Sequence, residues 1–209
     1  MANLIRYYMR ARLPQGFWGK RVLKAMNGKQ HEALPEWVFA DMQIKDDAHV
    51  LDVGCGGGAN ITRLLSRCPN GVVTGLDRSQ LSLDMSREVN YREVVDKKCY
   101  IMGGNVNQLP CAKDLFDVVT AFETIYFWHI LDEGLEEIFR VLKPGGTCVI
   151  ANEMDGLEPN LKKLEQAVGM LVYTIEEITE SLHKSGFTDI KPRHDEERHF
   201  VCVTARKPE

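Results

Sequence analysis

Asp52 stands two residues ahead of the glycine run Gly54-Cys55-Gly56-Gly57-Gly58-Ala59, directly after the apolar stretch Val50-Leu51. Glycines at 54, 56 and 58 let a chain turn through positive φ and let a ligand meet bare main chain without touching a Cβ. An ordinary strand-to-helix turn needs fewer glycines than these three. A carboxylate at the carboxyl end of a strand, where open α/β sheets bind ligands, repels a pyrophosphate and suits a cationic or amino-bearing one. A second acid, Asp77, closes the apolar run Val72-Val73-Thr74-Gly75-Leu76. It can accept both hydroxyls of a ribose, or cap a helix that begins near Ser79. Asn105 and Val106 are placed to flank a purine and its exocyclic amine, or to form a polar surface turn. The run Glu123-Thr124-Ile125-Tyr126-Phe127-Trp128-His129 offers an acid, three aromatic rings and an imidazole in one loop.

Two cofactor classes compete for such a turn, since residues 54–59 also satisfy the G-x-G-x-x-A dinucleotide pattern. Asp52 separates them. S-adenosylmethionine carries an ammonium and a positive sulfur, whereas a nicotinamide dinucleotide brings a dianionic pyrophosphate to the same place. Asp77 supports an adenosine ligand without choosing between the two, because dinucleotide folds use a second-strand acid as well.

Further motifs follow in order. They are Asn105-Val106-Asn107-Gln108-Leu109-Pro110, Phe116-Asp117-Val118-Val119-Thr120-Ala121 and Leu142-Lys143-Pro144-Gly145-Gly146. Together with the two acid-bearing strand ends, they make the chain resemble a class I S-adenosylmethionine-dependent methyltransferase. The similarity is to the small type that includes ubiquinone/menaquinone-biosynthesis methyltransferases, and it runs over roughly residues 49 to 152. It implies a doubly wound α/β fold of Rossmann-like methyltransferase type, with a mostly parallel seven-stranded sheet and an antiparallel edge strand. It also implies S-adenosylmethionine as cofactor, S-adenosylhomocysteine as product, and a set of contacts. Gly54, Cys55, Gly56 and Gly58 seat the methionine part, with Asp52 favouring its cation. Asp77 and Arg78 hold the ribose side, Asn105 and Val106 the adenine, and Ala121 and Glu123 close over the methionine moiety.

In-line displacement at a sulfonium relies on positioning and desolvation, and requires no protein nucleophile. A base is needed only for an acceptor that loses its proton during attack, and His129, Glu123 or Tyr126 could serve. The structural alternative for His129 is a residue at a helix entry. Trp18, Tyr126 and Trp128 are expected to bound the acceptor pocket, and Asn152, Glu153 and Asp155 are further acceptor-side candidates. His194-Asp195-Glu196-Glu197-Arg198-His199 departs from H-E-x-x-H, so no metal is expected there.

The elements that must carry these residues alternate as a doubly wound sheet requires. Ile61, Leu64, Leu65 and Cys68 recur at helical spacing before Pro69-Asn70-Gly71. Ser79 caps a helix predicted from Gln80 toward Val95, and Cys99 to Met102 reads as the third strand. Leu131, Leu135, Ile138, Phe139 and Leu142 mark a helix stopped by Lys143-Pro144-Gly145-Gly146, ahead of a fifth strand over Thr147 to Ala151. Thr174 and Glu177 form a capping box. Phe187 to Ile190 and Phe200 to Thr204 close the sheet as a hairpin. Upstream, Leu4 to Arg12 and Arg21 to Ala40 read as helices broken at Pro14-Gln15-Gly16. Residues 1–48 are thus a helical lid segment and 49–209 the catalytic part of a single domain, with Tyr7, Tyr8, Phe17 and Trp18 either walling the acceptor pocket or covering one end of the sheet.

The chain has 209 residues, 44% of them hydrophobic, which suffices for one α/β core. A net charge of −4 gives no basic footprint, so nucleic acid is not expected as partner and a small-molecule acceptor is. No leader pattern and no apolar run approaching about 18 residues is present, so a cytoplasmic monomer or homodimer without a membrane span is expected. The six cysteines show no C-x-x-C pairing and read as free thiols. Two other functions stay open at this level. One is a NAD(P)-dependent oxidoreductase. The other is a non-catalytic S-adenosylmethionine-binding protein.

Overall fold

A computed structural model describes every residue except Lys29, Gln30 and His129. Its helices are α1 (Ala2–Arg12), α2 (Gly16–Met26), α3 (Ala33–Phe39), α4 (Ala59–Leu65), α5 (Gln80–Val89), α6 (Tyr91–Val95), α7 (Leu131–Val141), α8 (Leu161–Val168) and α9 (Ile175–Lys184). Its strands are β1 (His49–Val53), β2 (Val72–Asp77), β3 (Cys99–Gly103), β4 (Phe116–Phe122), β5 (Leu142–Asn152), β6 (Thr188–Asp195) and β7 (Phe200–Arg206). They form one seven-stranded sheet of order β3-β2-β1-β4-β5-β7-β6. Strands β1 to β5 pair in parallel, and antiparallel pairing is confined to one margin, where β7 lies between β5 and β6.

Strands covered by helices on both sides read as near-continuous apolar runs, and β1, β4 and β5 do so. The period-two alternation of side chains divides the core. Leu51, Val53, Val119 and Ile150 meet Leu135 and Ile138 of α7 and Ile178 and Leu182 of α9. Val50, Val73, Val118 and Val149 meet Leu34 and Val38 of α3 and Ile61 and Leu64 of α4. A third apolar cluster caps the carboxyl ends: Tyr126, Met154, Leu164 and Val168 pack with Ile5 and Tyr8 of α1.

The capping box forms as predicted. Thr174 Oγ1 accepts the Glu177 N–H at 3.3 Å, and the Glu177 carboxylate accepts the Thr174 N–H at 2.9 Å. Four features depart from the sequence reading. The helix predicted over 80–95 breaks at Asn90, because the Asn90 amide is turned inward to donate to the Gly58 and Ser86 carbonyls while its oxygen accepts from Thr62. The helix predicted over 21–40 is split into α2 and α3, and α8 escaped notice because it is short and flanked by left-handed residues at Asn160 and Gly169. Strand β5 starts at Leu142 and runs through the Pro144-Gly145-Gly146 stop, where the register with β4 shifts.

Candidate active site

The helices that follow the neighbouring strands β1 and β4 leave to opposite faces, α4 to one and α7 to the other. Such a switch point opens a crevice at the carboxyl ends of the strands. Two cavities occupy it. One, of about 680 Å³, is walled by Gly54, Gly56, Asp77, Asn105, Val106 and Trp128 among others. The second, of about 700 Å³, is walled by Tyr7, Tyr8, His31, Arg63, Glu123 and Glu153 among others. They adjoin, with Gly54, Gly56, Phe122, Glu123 and Phe127 in the wall they share.

The three glycines of the turn do different work. All have positive φ: 76° at Gly54, 52° at Gly56 and 87° at Gly58. A Cβ on Gly56 would meet nothing nearer than 4.0 Å, so its bare backbone faces open cavity. A Cβ on Gly54 would lie 2.2 Å from Thr124 Oγ1, so this position lets the loop after β4 close onto the turn. A Cβ on Gly58 would lie 2.8 Å from Asn90 Nδ2 and from the Ser86 backbone. Gly58 therefore serves packing against α5 and lines neither cavity, in place of the ligand contact expected of it.

Asp77 ends β2 in the first cavity. Its carboxylate accepts the N–H of Gly56 at 3.0 Å and of Ser79 at 2.8 Å, so it braces the glycine turn from across the crevice. Each oxygen keeps a second lone pair. Burial pushes its pKa up, against these hydrogen bonds. Capping of α5 falls to Ser79 itself, whose side chain accepts the Ser82 N–H. Asn105, exposed, and Val106, buried, stand in the same wall. Arg78 lines this cavity too, its guanidinium donating to the Arg12 carbonyl at 2.8 Å.

Glu123 sits where the cavities join. Its φ of 55° is unusual for a residue with a side chain and is the kind of local strain that collects at functional sites. Its carboxylate accepts the Tyr126 hydroxyl at 2.8 Å and the Glu153 N–H. Burial, with the neighbouring Glu153 carboxylate second, pushes its pKa up to about 8. His31 faces Glu153 at 3.4 Å and shares a hydrogen bond of 3.0 Å with the Tyr7 hydroxyl. The bond to Glu153 raises the His31 pKa. A relay Tyr7, His31, Glu153, Glu123, Tyr126 thus runs along the second cavity.

Several expected residues lie elsewhere. Asp52 is 2% exposed and lines neither cavity. The pleat puts it on the side of Val50, where Thr120 Oγ1 donates to it at 2.7 Å, and burial pushes its pKa up to about 7. Cys55 lines the second cavity by its backbone neighbourhood, while its thiol turns to Ser86 at 3.6 Å. Ala121 is fully buried in β4 beneath the crevice. Of the three expected pocket aromatics, Trp18 is 56% exposed, stacked under Arg10 and edge-on to Phe17, away from both cavities. Tyr126 is buried below the site and reaches it only through its hydroxyl, and Trp128 walls the first cavity instead of the second. Phe127 takes the position between them. His129 lies outside the described residues. His31 and Arg63 carried no sequence signal, one standing before β1 and the other on α4 with unremarkable neighbours.

These residues fit S-adenosylmethionine: an unencumbered glycine backbone at Gly56, a ribose acceptor at Asp77, and carboxylates at Glu123 and Glu153 for a cation. The methyltransferase-domain family matches residues 51–150. Residues 51–150 are a methyltransferase domain, of the class I S-adenosylmethionine-dependent kind. Among relatives of this chain, the cycloartenol-C-24-methyltransferase of Arabidopsis thaliana is 33% identical over 63% of the chain and 39% of its own length. The 2-methyl-6-phytyl-1,4-hydroquinone methyltransferase 2 of Oryza sativa subsp. japonica is 33% identical over 85% of the chain and 51% of its own length. The chain thus spans from two fifths to about half of these relatives. The fold is that of an Aquifex aeolicus SAM-dependent methyltransferase, with a TM-score of 0.74, 19% identity, and cover of 88% of this chain and 96% of that one. No helix among the described residues is long and apolar enough to cross a membrane.

Proposed function

We propose that the chain transfers a methyl group from S-adenosylmethionine to a small, partly apolar acceptor. The observation that carries this reading is the adjacency of two cavities that share Gly54, Gly56, Glu123 and Phe127 as a wall. The Asp77 cavity takes the adenosyl end of the donor. The Tyr7, Tyr8, Phe127 cavity takes the acceptor, and the shared wall is where a methyl passes. When bound, the donor supplies an electrophilic methyl on a positive sulfur. The residues around it bind and orient. Asp77 accepts from the ribose, Asn105 and Val106 flank the base, and Glu123 and Glu153 favour the cation. The apolar walls from Leu34, Pro35, Met26 and Phe127 exclude water around the acceptor.

Glu123 doubles as a base for acceptors that lose a proton, since a carboxyl near pH 8 is close to working conditions. The relatives named above act, by their names, on cycloartenol and on 2-methyl-6-phytyl-1,4-hydroquinone, and acceptors of that kind suit a mixed aromatic and aliphatic wall. The Glu123–Glu153 pair at the crevice weighs against a dinucleotide pyrophosphate and hence against the oxidoreductase alternative, whereas Asp77 suits either ligand. Incubation with methyl-labelled S-adenosylmethionine and pooled lipid and phenolic metabolites tests the proposal. Label should move to an organic acceptor with release of S-adenosylhomocysteine, whereas binding without transfer to any pool member would favour the non-catalytic reading.

A further inference from the structure

Asp155, in the segment after β5, is 3% exposed, and its Oδ2 lies 3.0 Å from both His194 Nε2 of β6 and His199 Nδ1 of the β6–β7 hairpin. Glu158 curls back so that Oε1 accepts the Asp155 N–H at 3.0 Å. Its other oxygen, Oε2, is buried with no hydrogen-bond partner. A carboxylate oxygen withdrawn from water without a partner is costly, and such an atom in a native fold points to something that satisfies it. Ligand atoms of Asp155, Glu158 and His199 all lie within 4.8 Å of one another.

The geometry points to a divalent-cation site formed by Asp155, Glu158 and His199, separate from the donor and acceptor cavities. Metal–ligand bonds of about 2.0–2.2 Å around a tetrahedral centre put ligand atoms roughly 3.3 Å apart, so the cluster closes onto an ion by movements on the order of 1 Å. One imidazole and two carboxylates suit zinc and similar borderline cations. His199 is 48% exposed, leaving a fourth position to water. The surroundings are those of a supported ligand set. His194 and the Leu157 N–H, at 2.9 Å, both donate to the Asp155 carboxylate and fix its direction. His199 holds a left-handed φ of 58°, which aims its ring back at Asp155 instead of along the hairpin. An ion here would tie the segment leading from Glu153 of the acceptor cavity to the β6–β7 hairpin. The sequence reading expected no metal at His194 and His199 because it sought ligands within one segment. Two of the three ligands, Asp155 and Glu158, come from the segment after β5.

The competing arrangement is a plain ion pair between Asp155 and the histidines, and Glu158 distinguishes the two, since it touches neither ring in that pair. The full chain, stripped with chelator and desalted, is titrated with zinc chloride by calorimetry. One zinc per chain is expected, with affinity reduced at least about tenfold by Glu158→Gln and by His199→Gln. Cobalt substitution should give tetrahedral absorption bands that both variants lose. Circular dichroism and S-adenosylhomocysteine binding check that the variants are folded. Absence of saturable binding, or binding that survives Glu158→Gln in a folded variant, overturns the site and leaves an ion pair.

Discussion

Replacing Glu123 by glutamine probes the seam between the two cavities, because its charge state and the donor's are coupled. Burial and Glu153 push its carboxyl up to about 8 from an ordinary 4.5. The folded chain therefore binds this proton more tightly than the unfolded one. The corresponding stability is complete below pH 4.5 and is lost as pH rises through about 8. A cation in the adjoining cavity reverses that preference. Donor binding below pH 8 should then release a proton, and affinity for S-adenosylmethionine should rise by up to about tenfold per pH unit from pH 6 toward 8, levelling above. Glu123 and Glu153 titrate as a pair, so the slope belongs to both. Calorimetry in buffers of different ionisation enthalpy counts the protons. Glu123→Gln should abolish the release between pH 7 and 8 and flatten the affinity there, while improving stability at alkaline pH. S-adenosylhomocysteine, which lacks the charged sulfur, should show a weaker dependence than S-adenosylmethionine in the unaltered protein. An unchanged slope and proton count in a folded Glu123→Gln variant would refute this reasoning.

Asp77→Ala removes a charged acceptor from the first cavity. Hydrogen bonds to charged groups are worth about 1.5–3 kcal/mol each, so S-adenosylhomocysteine affinity should fall by at least about tenfold in titration calorimetry. Gly58→Ala, forced against Asn90 and Ser86 at a φ of 87°, should lower the melting temperature of the free protein. Gly56→Ala, strained by its φ of 52° but meeting no neighbour, should cost less stability and lower donor affinity more, and equal effects of the two on both readouts contradict the division of labour. Trp18→Ala, altering a ring exposed away from both cavities, should leave kcat/KM for any identified acceptor within about twofold, while Phe127→Ala should lower it by more than tenfold.

What the sequence revealed was local. Gly54, Gly56 and Asp77 are legible because a turn of special φ and an acid at a strand end declare themselves within a few residues. The Thr174–Glu177 box is legible because its two hydrogen bonds span a single helical turn. Side-chain direction at the crevice was not legible. The pleat turns Asp52 toward Thr120, and the short helical turn after Glu123 sends Tyr126 inward and Phe127 outward. Gly58 looked like its neighbours in the motif, yet the Cβ it lacks would strike an asparagine from a different helix. The same long-range closure hid the relay of His31, Glu153 and Glu123, and the meeting of Asp155 with His194 and His199. Each cluster joins segments separated by whole elements, and no periodicity encodes that.

Co-crystallisation with S-adenosylhomocysteine tests the account at its centre. Density should place the ribose hydroxyls within hydrogen-bonding distance of the Asp77 carboxylate, the adenine beside Val106, and the sulfur facing the wall formed by Glu123 and Phe127. Full occupancy with the ribose turned away from Asp77, or a crevice that admits a dinucleotide and refuses the homocysteine compound, would contradict it.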